Sequence, residues 1–285
     1  LFCSHPDNVC VYRIIAKYLP QVIIALDNVL VPQAPDITCH ENSINLWGRT
    51  APDIGLMYNA RATVLVPGSR GDFCSNGKVI IPKGHSEVII VIAADTDYDA
   101  SEGNAATNYS FKWKDPTQVV IQTVFEASKK TYSNLKGAHI KDYSNLFSRF
   151  TLTLPDPNGS ANISTEALFT NYTQHGDPYV ESILFDYARY LFISSSRPGG
   201  LPPNLQGLWA EQYSPAWSAD YHANINIQMA HWTVDQTGLG DQTGPLWNFV
   251  ADTWMPRGSE TAYLLYNSTK GWTTHNQMNT FGYTA

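Results

Sequence analysis

Charge is scarce in this chain of 285 residues: Asp, Glu, Lys and Arg together make up 15% of it, against roughly 25% in an average soluble domain. Lys and Arg number 18 against 25 for Asp and Glu, a formal charge of -7. No basic run or aromatic-interleaved basic stripe is present to neutralise phosphates, so no nucleic-acid partner is expected. Long apolar runs are missing too. The longest, Val88 to Ala94, has seven residues, far short of the roughly 20 that cross a bilayer, and no membrane partner is expected. GxGxxG, HExxH and GxSxG are all absent, which removes the simple arguments for a dinucleotide enzyme, a zinc protease or an α/β-hydrolase. The segment from Gly71 to Lys78 looks like a phosphate loop but has one residue too many between its glycines. Val79 also stands where a magnesium-binding hydroxyl belongs. Cysteines are few: Cys3, Cys10, Cys39 and Cys74, all in the first quarter and without the CxxC spacing of a zinc site. They allow three disulfide pairings, and the sequence does not choose. No metal and no cofactor are expected.

What the chain does have is aromatic residues, at 12%, and Asn-x-Ser/Thr acceptors at Asn108, Asn158, Asn162, Asn171 and Asn267. Composition alone would give about three such acceptors. Low charge, clustered cysteines and these acceptors together favour a secreted, extracellular glycoprotein. The text begins at Leu1, and Leu1 to Cys10 lacks the charged-then-apolar layout of a secretory signal, so any signal is expected upstream.

Along the chain the hydrophobic period changes. Val22 to Val31, Arg61 to Val66 and Glu87 to Ala94 are rich in Val and Ile and are broken by Pro and Gly, which predicts strands in a β-sandwich. From Pro116 to Tyr143 the pattern is helical, Phe150 to Leu154 alternates as a short strand, and Pro155 to Gly159 forms the clearest boundary. Beyond it, Asp177 can cap a helix with Pro178 at its first position. Val180, Ile183, Leu184, Tyr187, Ala188, Leu191 and Phe192 then follow at helical spacing. Further helices are predicted over roughly 226–237, 244–254 and 259–266. Strands first and helices afterwards mean two domains of different class.

The candidate chemistry lies in the loops of the second half. Ser196 to Gln228 gathers Trp209, Trp217, Tyr213, Tyr221, Glu211 and Asp220 between Pro and Gly residues. Such a loop can expose flat rings that stack on a sugar, while amides and carboxylates bind its hydroxyls. The competing reading makes the tryptophans core residues under a long loop. Within this stretch, His222-Ala223-Asn224-Ile225-Asn226-Ile227-Gln228 alternates polar and apolar residues. In an extended backbone His222, Asn224 and Asn226 would share one face, whereas a helix would keep only His222 and Asn226 together. Gly271 to Asn279 again sets Trp272, His275 and amides in a loop.

These motifs carry a resemblance. Leu201-Pro202-Pro203-Asn204-Leu205-Gln206-Gly207-Leu208-Trp209, Pro215-Ala216-Trp217, the stretch from His222 to Met229, and Gly271-Trp272 with His275 resemble the core motifs of glycoside hydrolase family 95. Upstream, Thr38 to Ser43 and Asp95 to Tyr98 are similar to that family's N-terminal domain in its fungal form. The likeness covers essentially the whole chain. It implies a multidomain β-then-α fold: an N-terminal β-sandwich followed by the first part of an (α/α)6, or six-hairpin, barrel. On this reading residues 1–115 are the sandwich, incomplete at its start, and 116–157 a helical linker with a short strand. Residues 158–285 are then a partial catalytic domain truncated at its C-terminal end.

The resemblance further implies an α-L-fucosidase that releases L-fucose from α-1,2-fucosylated glycans with inversion. Its partner would be a fucosylated oligosaccharide or glycan. Asn226 matches the family's water-activating Asn, Asn224 its partner Asn and His222 a sugar-binding His, with Trp209, Trp217 and His275 also binding substrate. Most inverting glycosidases use two carboxyl groups, whereas in this family an Asp-polarised Asn amide takes the water's proton and a Glu is the acid. Both carboxylates lie past the position matched by Ala285, so Glu211, Asp220 and Asp235 are given neither role, and the chain alone is expected to be inactive. Asn276 and Asn279 stand where many relatives have a second His and an Asp. A non-catalytic carbohydrate-binding or structural remnant is the alternative, and an inverting disaccharide phosphorylase a more distant one.

Overall fold

The computed structural model describes residues 1–172 and 176–284. Thr173, which completes the Asn171 acceptor, and Ala285 lie outside them. The chain forms two compact units: Leu1–Asp142 with Glu211–Ser214, and Tyr143–Ala210 with Pro215–Ala285.

The first unit is built on nine strands: β1 (Phe2–Ser4), β2 (Val9–Ile15), β3 (Val22–Ile24), β4 (Asp36–His40), β5 (Ser43–Arg49), β6 (Met57–Leu65), β7 (Cys74–Ser75), β8 (Lys78–Ile81) and β9 (Glu87–Thr96). Six form an antiparallel sheet in the order β1-β2-β9-β6-β5-β4, and three form a second in the order β3-β8-β7. The apolar run of β9 is explained by its central place. Val88 and Ile90 join Ile44, Ala62 and Val64 of the large sheet and Ile24, Val79 and Ile81 of the small one in one core. Ile89, Val91 and Ala93, on the opposite face, pack against Val120, Val124 and Ala127 of helix α1 (Thr117–Ser128) and Leu135 of α2 (Tyr132–Phe147). A strand covered on both faces reads as a continuous apolar run.

The disulfides, open in the sequence, pair Cys3 with Cys10 and Cys39 with Cys74. The first joins directly opposed residues of β1 and β2. The second ties β4 of the large sheet to β7 of the small one across a separation of 35 residues. Closing a loop of that length stabilises by about 4 kcal/mol on the chain-entropy account.

Two expected strands differ. Only Val22–Ile24 of the 22–31 stretch pairs, because the Asp27 and Asn28 side chains accept from the Asn28 and Leu30 backbone N–H groups and turn the chain out of the sheet. Phe150 to Leu154 forms no strand. The Phe150 carbonyl instead accepts a hydrogen bond from the Arg189 guanidinium.

The second unit is helical: α3 (Thr165–Asn171), α4 (Pro178–Ser195), α5 (Asn226–His231), α6 (Gly244–Phe249), a π-helical turn at Val250–Trp254, and α7 (Met255–Tyr266). Asp177 caps α4 by accepting from the Tyr179 and Val180 N–H groups, with Pro178 at the first position, as expected. The buried face of α4 is not the expected stripe. Val180, Arg189, Phe192 and Ile193 are buried while Leu184, Tyr187 and Leu191 stay exposed. Arg189 donates to the carbonyls of Phe147, Phe150 and Thr237, so a charged side chain sits on the inner face and rotates it away from the purely apolar pattern. Among the described residues no helix is long and apolar enough to cross a membrane.

Candidate active site

The second unit holds a cluster of Tyr221, Ile227, Leu246, Phe249, Trp254 and Met278, with Leu201, Ala223 and Val250 packed against it. The Tyr221 ring lies 4.9 Å from Phe249 and 6.2 Å from Trp254. Burial pushes the Tyr221 phenol up to about 12, opposed by a hydrogen bond with Thr280. This cluster is where three separate stretches of sequence meet. The Tyr221 N–H donates to the Met278 carbonyl at 2.8 Å, and the Ala223 N–H to the Asn276 carbonyl at 2.7 Å. The Met278 N–H donates to Oδ1 of Asp220 at 2.5 Å. From the third stretch, the Leu205 N–H donates to the Asp220 carbonyl at 2.9 Å. Segments 201–209, 220–228 and 271–279, chosen from sequence for their aromatic and amide content, are thus laced together by backbone bonds. Helix α7 closes against the last of them: a Cβ on Gly258 would lie 2.7 Å from the Thr273 carbonyl oxygen, so only glycine permits the approach.

Within this frame the candidate residues fall out differently from the extended reading. His222 has φ 46°, residues 223–225 form a turn, and Asn226 opens α5. His222, Asn224 and Asn226 therefore do not line one face of a strand. The alternation that suggested one arises because Ala223 and Ile227 turn into the cluster while Asn224 is exposed and Asn226 half-buried. His222 pairs through Nδ1 with Oδ2 of Asp220. His275 Nε2 lies 3.1 Å from the Tyr266 hydroxyl at the end of α7. Trp209 and Trp217 are 67% and 60% exposed, so neither is the core residue of the competing reading. Trp217, Ser218 and Ala219 all have positive φ, and the Trp217 carbonyl accepts from the Asp220 N–H, setting the tryptophan just ahead of the buried aspartate.

Of the carboxylates in the aromatic loop, Glu211 falls in the other unit and Asp235 is exposed. Asp220 is the one buried in the cluster; its Oδ1 accepts from the Met278 N–H, while its Oδ2 lies against Nδ1 of His222 without a hydrogen bond. Sequence reasoning named it without giving it a place; its spacing of two from His222 was the available signal. It also passed over Asn204 and Gln206, whose side-chain oxygens are buried without a hydrogen-bond partner. Among the described residues no His, Cys, Asp and Glu group could hold a metal ion. All five acceptor asparagines, Asn108, Asn158, Asn162, Asn171 and Asn267, are exposed.

Antiparallel sheets followed by helices, with loops that bring aromatics, amides and the buried Asp220 together in the helical part, make a two-part chain. Residues 131–285 match the glycosyl hydrolase family 95 catalytic domain, and residues 1–101 the glycosyl hydrolase family 65 N-terminal domain. The chain belongs to glycosyl hydrolase family 95. It is 61% identical to the probable alpha-fucosidase A of Aspergillus niger over its whole length, covering 36% of that protein. The probable alpha-fucosidase A of Aspergillus oryzae is 44% identical, again over all of this chain and 40% of the relative. Alpha-L-fucosidase 2 of Arabidopsis thaliana is 29% identical over 78% of this chain and 26% of its own length. The chain therefore spans between a third and two fifths of the Aspergillus relatives.

Proposed function

We propose that this chain is part of a secreted α-L-fucosidase that hydrolyses α-1,2-linked fucosides of glycans with inversion of configuration. The observation that carries the reading is the convergence of segments 201–209, 220–228 and 271–279 on Asp220 and Tyr221, in a chain of this family whose Aspergillus relatives bear the name alpha-fucosidase. On this reading the helices of the second unit are the first part of an (α/α)6 barrel behind a β-sandwich, with boundaries at 1–115, 116–157 and 158–285. Asn108, Asn158, Asn162, Asn171 and Asn267 are its glycosylation acceptors.

In the proposed reaction a water oxygen attacks the fucose anomeric carbon. The bond to the leaving oxygen breaks as that oxygen takes a proton from a carboxylic acid, and the water's proton passes to the Asn226 amide oxygen. An amide oxygen has lone pairs but little basicity, so a neighbouring carboxylate must polarise it. Asp220 is not given that work: its Oδ1 is held by the Met278 N–H and its Oδ2 faces His222 rather than Asn226. The general acid and the polarising carboxylate come from other residues, and the 285 residues alone turn over negligibly. Asn224 supports Asn226, His222 and His275 bind sugar hydroxyls, and Trp209 and Trp217 offer exposed rings for stacking.

The test is release of L-fucose from 2′-fucosyllactose by the native polypeptide that carries this sequence, compared with the 285-residue chain. Hydrolysis by the first and negligible hydrolysis by the second are expected. Failure of the first to hydrolyse any α-L-fucoside while still binding L-fucose would favour a non-catalytic carbohydrate-binding protein.

A further inference from the structure

We propose that the β-sandwich unit carries a sugar site of its own, in which Arg13 and Glu87 together hold two adjacent hydroxyls of a neutral pyranose. The inference goes beyond the fucoside reaction and does not depend on it. Register across β2, β9 and β6 sets Arg13 opposite Ile89 and Ile89 opposite Leu65, so the three form one row on one face of the large sheet. Glu87, two residues before Ile89 in β9, shares that face. Together with residues 130–133, in the turn from α1 into α2, they line a cavity of about 630 Å³, inside the range of about 300–1,000 Å³ typical of small-ligand sites. All of these residues belong to the first unit.

The polar pair in this cavity is fixed but not saturated. Arg13 Nε donates to Oε1 of Glu87 at 2.6 Å, and the guanidinium carbon lies 4.5 Å from the centre of the Tyr132 ring, which is itself packed edge-on with Phe2. Among the described residues Nη1 and Nη2 of Arg13 and Oε2 of Glu87 make no hydrogen bond, and the two side chains are 32% and 24% exposed. The cavity thus offers a planar fork of N–H donors beside a free carboxylate oxygen. Its charged lining is balanced, Arg13 and Lys130 against Glu41 and Glu87, and Lys130 is also tied to Asp7. An anion drawn to Arg13 meets Glu87, and a cation drawn to Glu87 meets Arg13, so neither sign of charge is selected. Adjacent sugar hydroxyls satisfy both groups at once: one oxygen accepts from the guanidinium while its neighbour's O–H donates to Oε2. Leu65 and Ile89 supply the apolar wall for the C–H face of the ring.

Photolabelling of the native polypeptide with a diazirine-bearing lactoside, followed by peptide mass spectrometry, locates the site. We expect label on peptides covering 10–15, 63–69 or 130–133, suppressed by excess lactose and untouched by inorganic phosphate at matched ionic strength. Label confined to other peptides, or label displaced by phosphate, overturns the proposal. Glu87→Gln keeps the size of the side chain but loses the charged acceptor, and should weaken lactose binding about tenfold. Undiminished binding in the folded variant overturns the role given to the pair, and the wild-type map decides even if the variant fails to fold. Lactose carries no fucose, which keeps the two readings apart. A polypeptide labelled here that hydrolyses no α-L-fucoside contradicts the proposed reaction and supports this site, whereas one that hydrolyses fucosides without label here contradicts this site alone.

Discussion

Replacing Tyr221 with alanine should loosen the candidate site more than any other single truncation in the helical unit. The ring is 2% exposed and contacts Phe249 and Trp254 in a tilted and an edge-on arrangement, while its hydroxyl bonds Thr280. Truncating a buried aromatic costs about 3–5 kcal/mol in lost transfer energy and residual cavity. Each of the two ring pairs supplies about 0.5–1.5 kcal/mol of that. Against a total stability of about 5–15 kcal/mol, the helical unit would become marginal. With a urea slope of about 2 kcal/mol/M, the midpoint should fall by roughly 2 M. Tyr263, 57% exposed on α7, is the control: its alanine variant should stay within about 0.5 kcal/mol of wild type. Urea unfolding followed by tryptophan fluorescence compares the two. A Tyr221→Ala loss under about 1 kcal/mol, or one matched by Tyr263→Ala, would refute the claim that this ring pins segments 220–228 and 271–279 together.

Further outcomes follow from the same contacts. The Tyr221 phenol, pushed up to about 12 by burial, stays protonated in the folded chain while unfolded tyrosines ionise near 10. Stability should therefore fall as pH rises from about 10 to 12, by about 2.7 kcal/mol in the limit. Tyr221→Phe should remove that loss, and an unchanged alkaline profile in the variant would contradict it. Arg189→Lys should cost about 3 kcal/mol or more in thermal unfolding, because one ammonium cannot reproduce the fork that serves the Phe147, Phe150 and Thr237 carbonyls; a loss below 1 kcal/mol would show those bonds to be dispensable. In the native polypeptide, Asn226→Gly should lower kcat by about 10² to 10⁴ with a smaller effect on KM. An effect confined to KM would move Asn226 from water activation to binding.

How much of this was legible in the sequence depended on whether a residue's neighbours were local. The Asp177-Pro178 start of α4 follows from hydrogen bonds within three residues, and the sequence showed it. The face of α4 did not, because Arg189 is buried by carbonyls 39 to 48 residues away, and no periodicity reports them. The 222–228 stretch failed for a related reason. Its alternation matches a strand, but the Ala223 N–H goes to Asn276 and the chain then enters α5. The disulfide pairing was likewise hidden until β4 and β7 were brought together across the two sheets. The motif stretches around Trp209, His222 and Trp272 were visible as composition, whereas their meeting at Asp220 required the fold.

The measurement that bears most directly on the functional account is the anomeric configuration of the first product formed by the native polypeptide from 2′-fucosyllactose, followed by proton NMR before mutarotation. If a water activated by Asn226 attacks opposite the leaving oxygen, β-L-fucose appears first and the α-anomer grows in later. Initial release of α-L-fucose would mean a covalent intermediate and a carboxylate nucleophile, and would contradict the role given to Asn226.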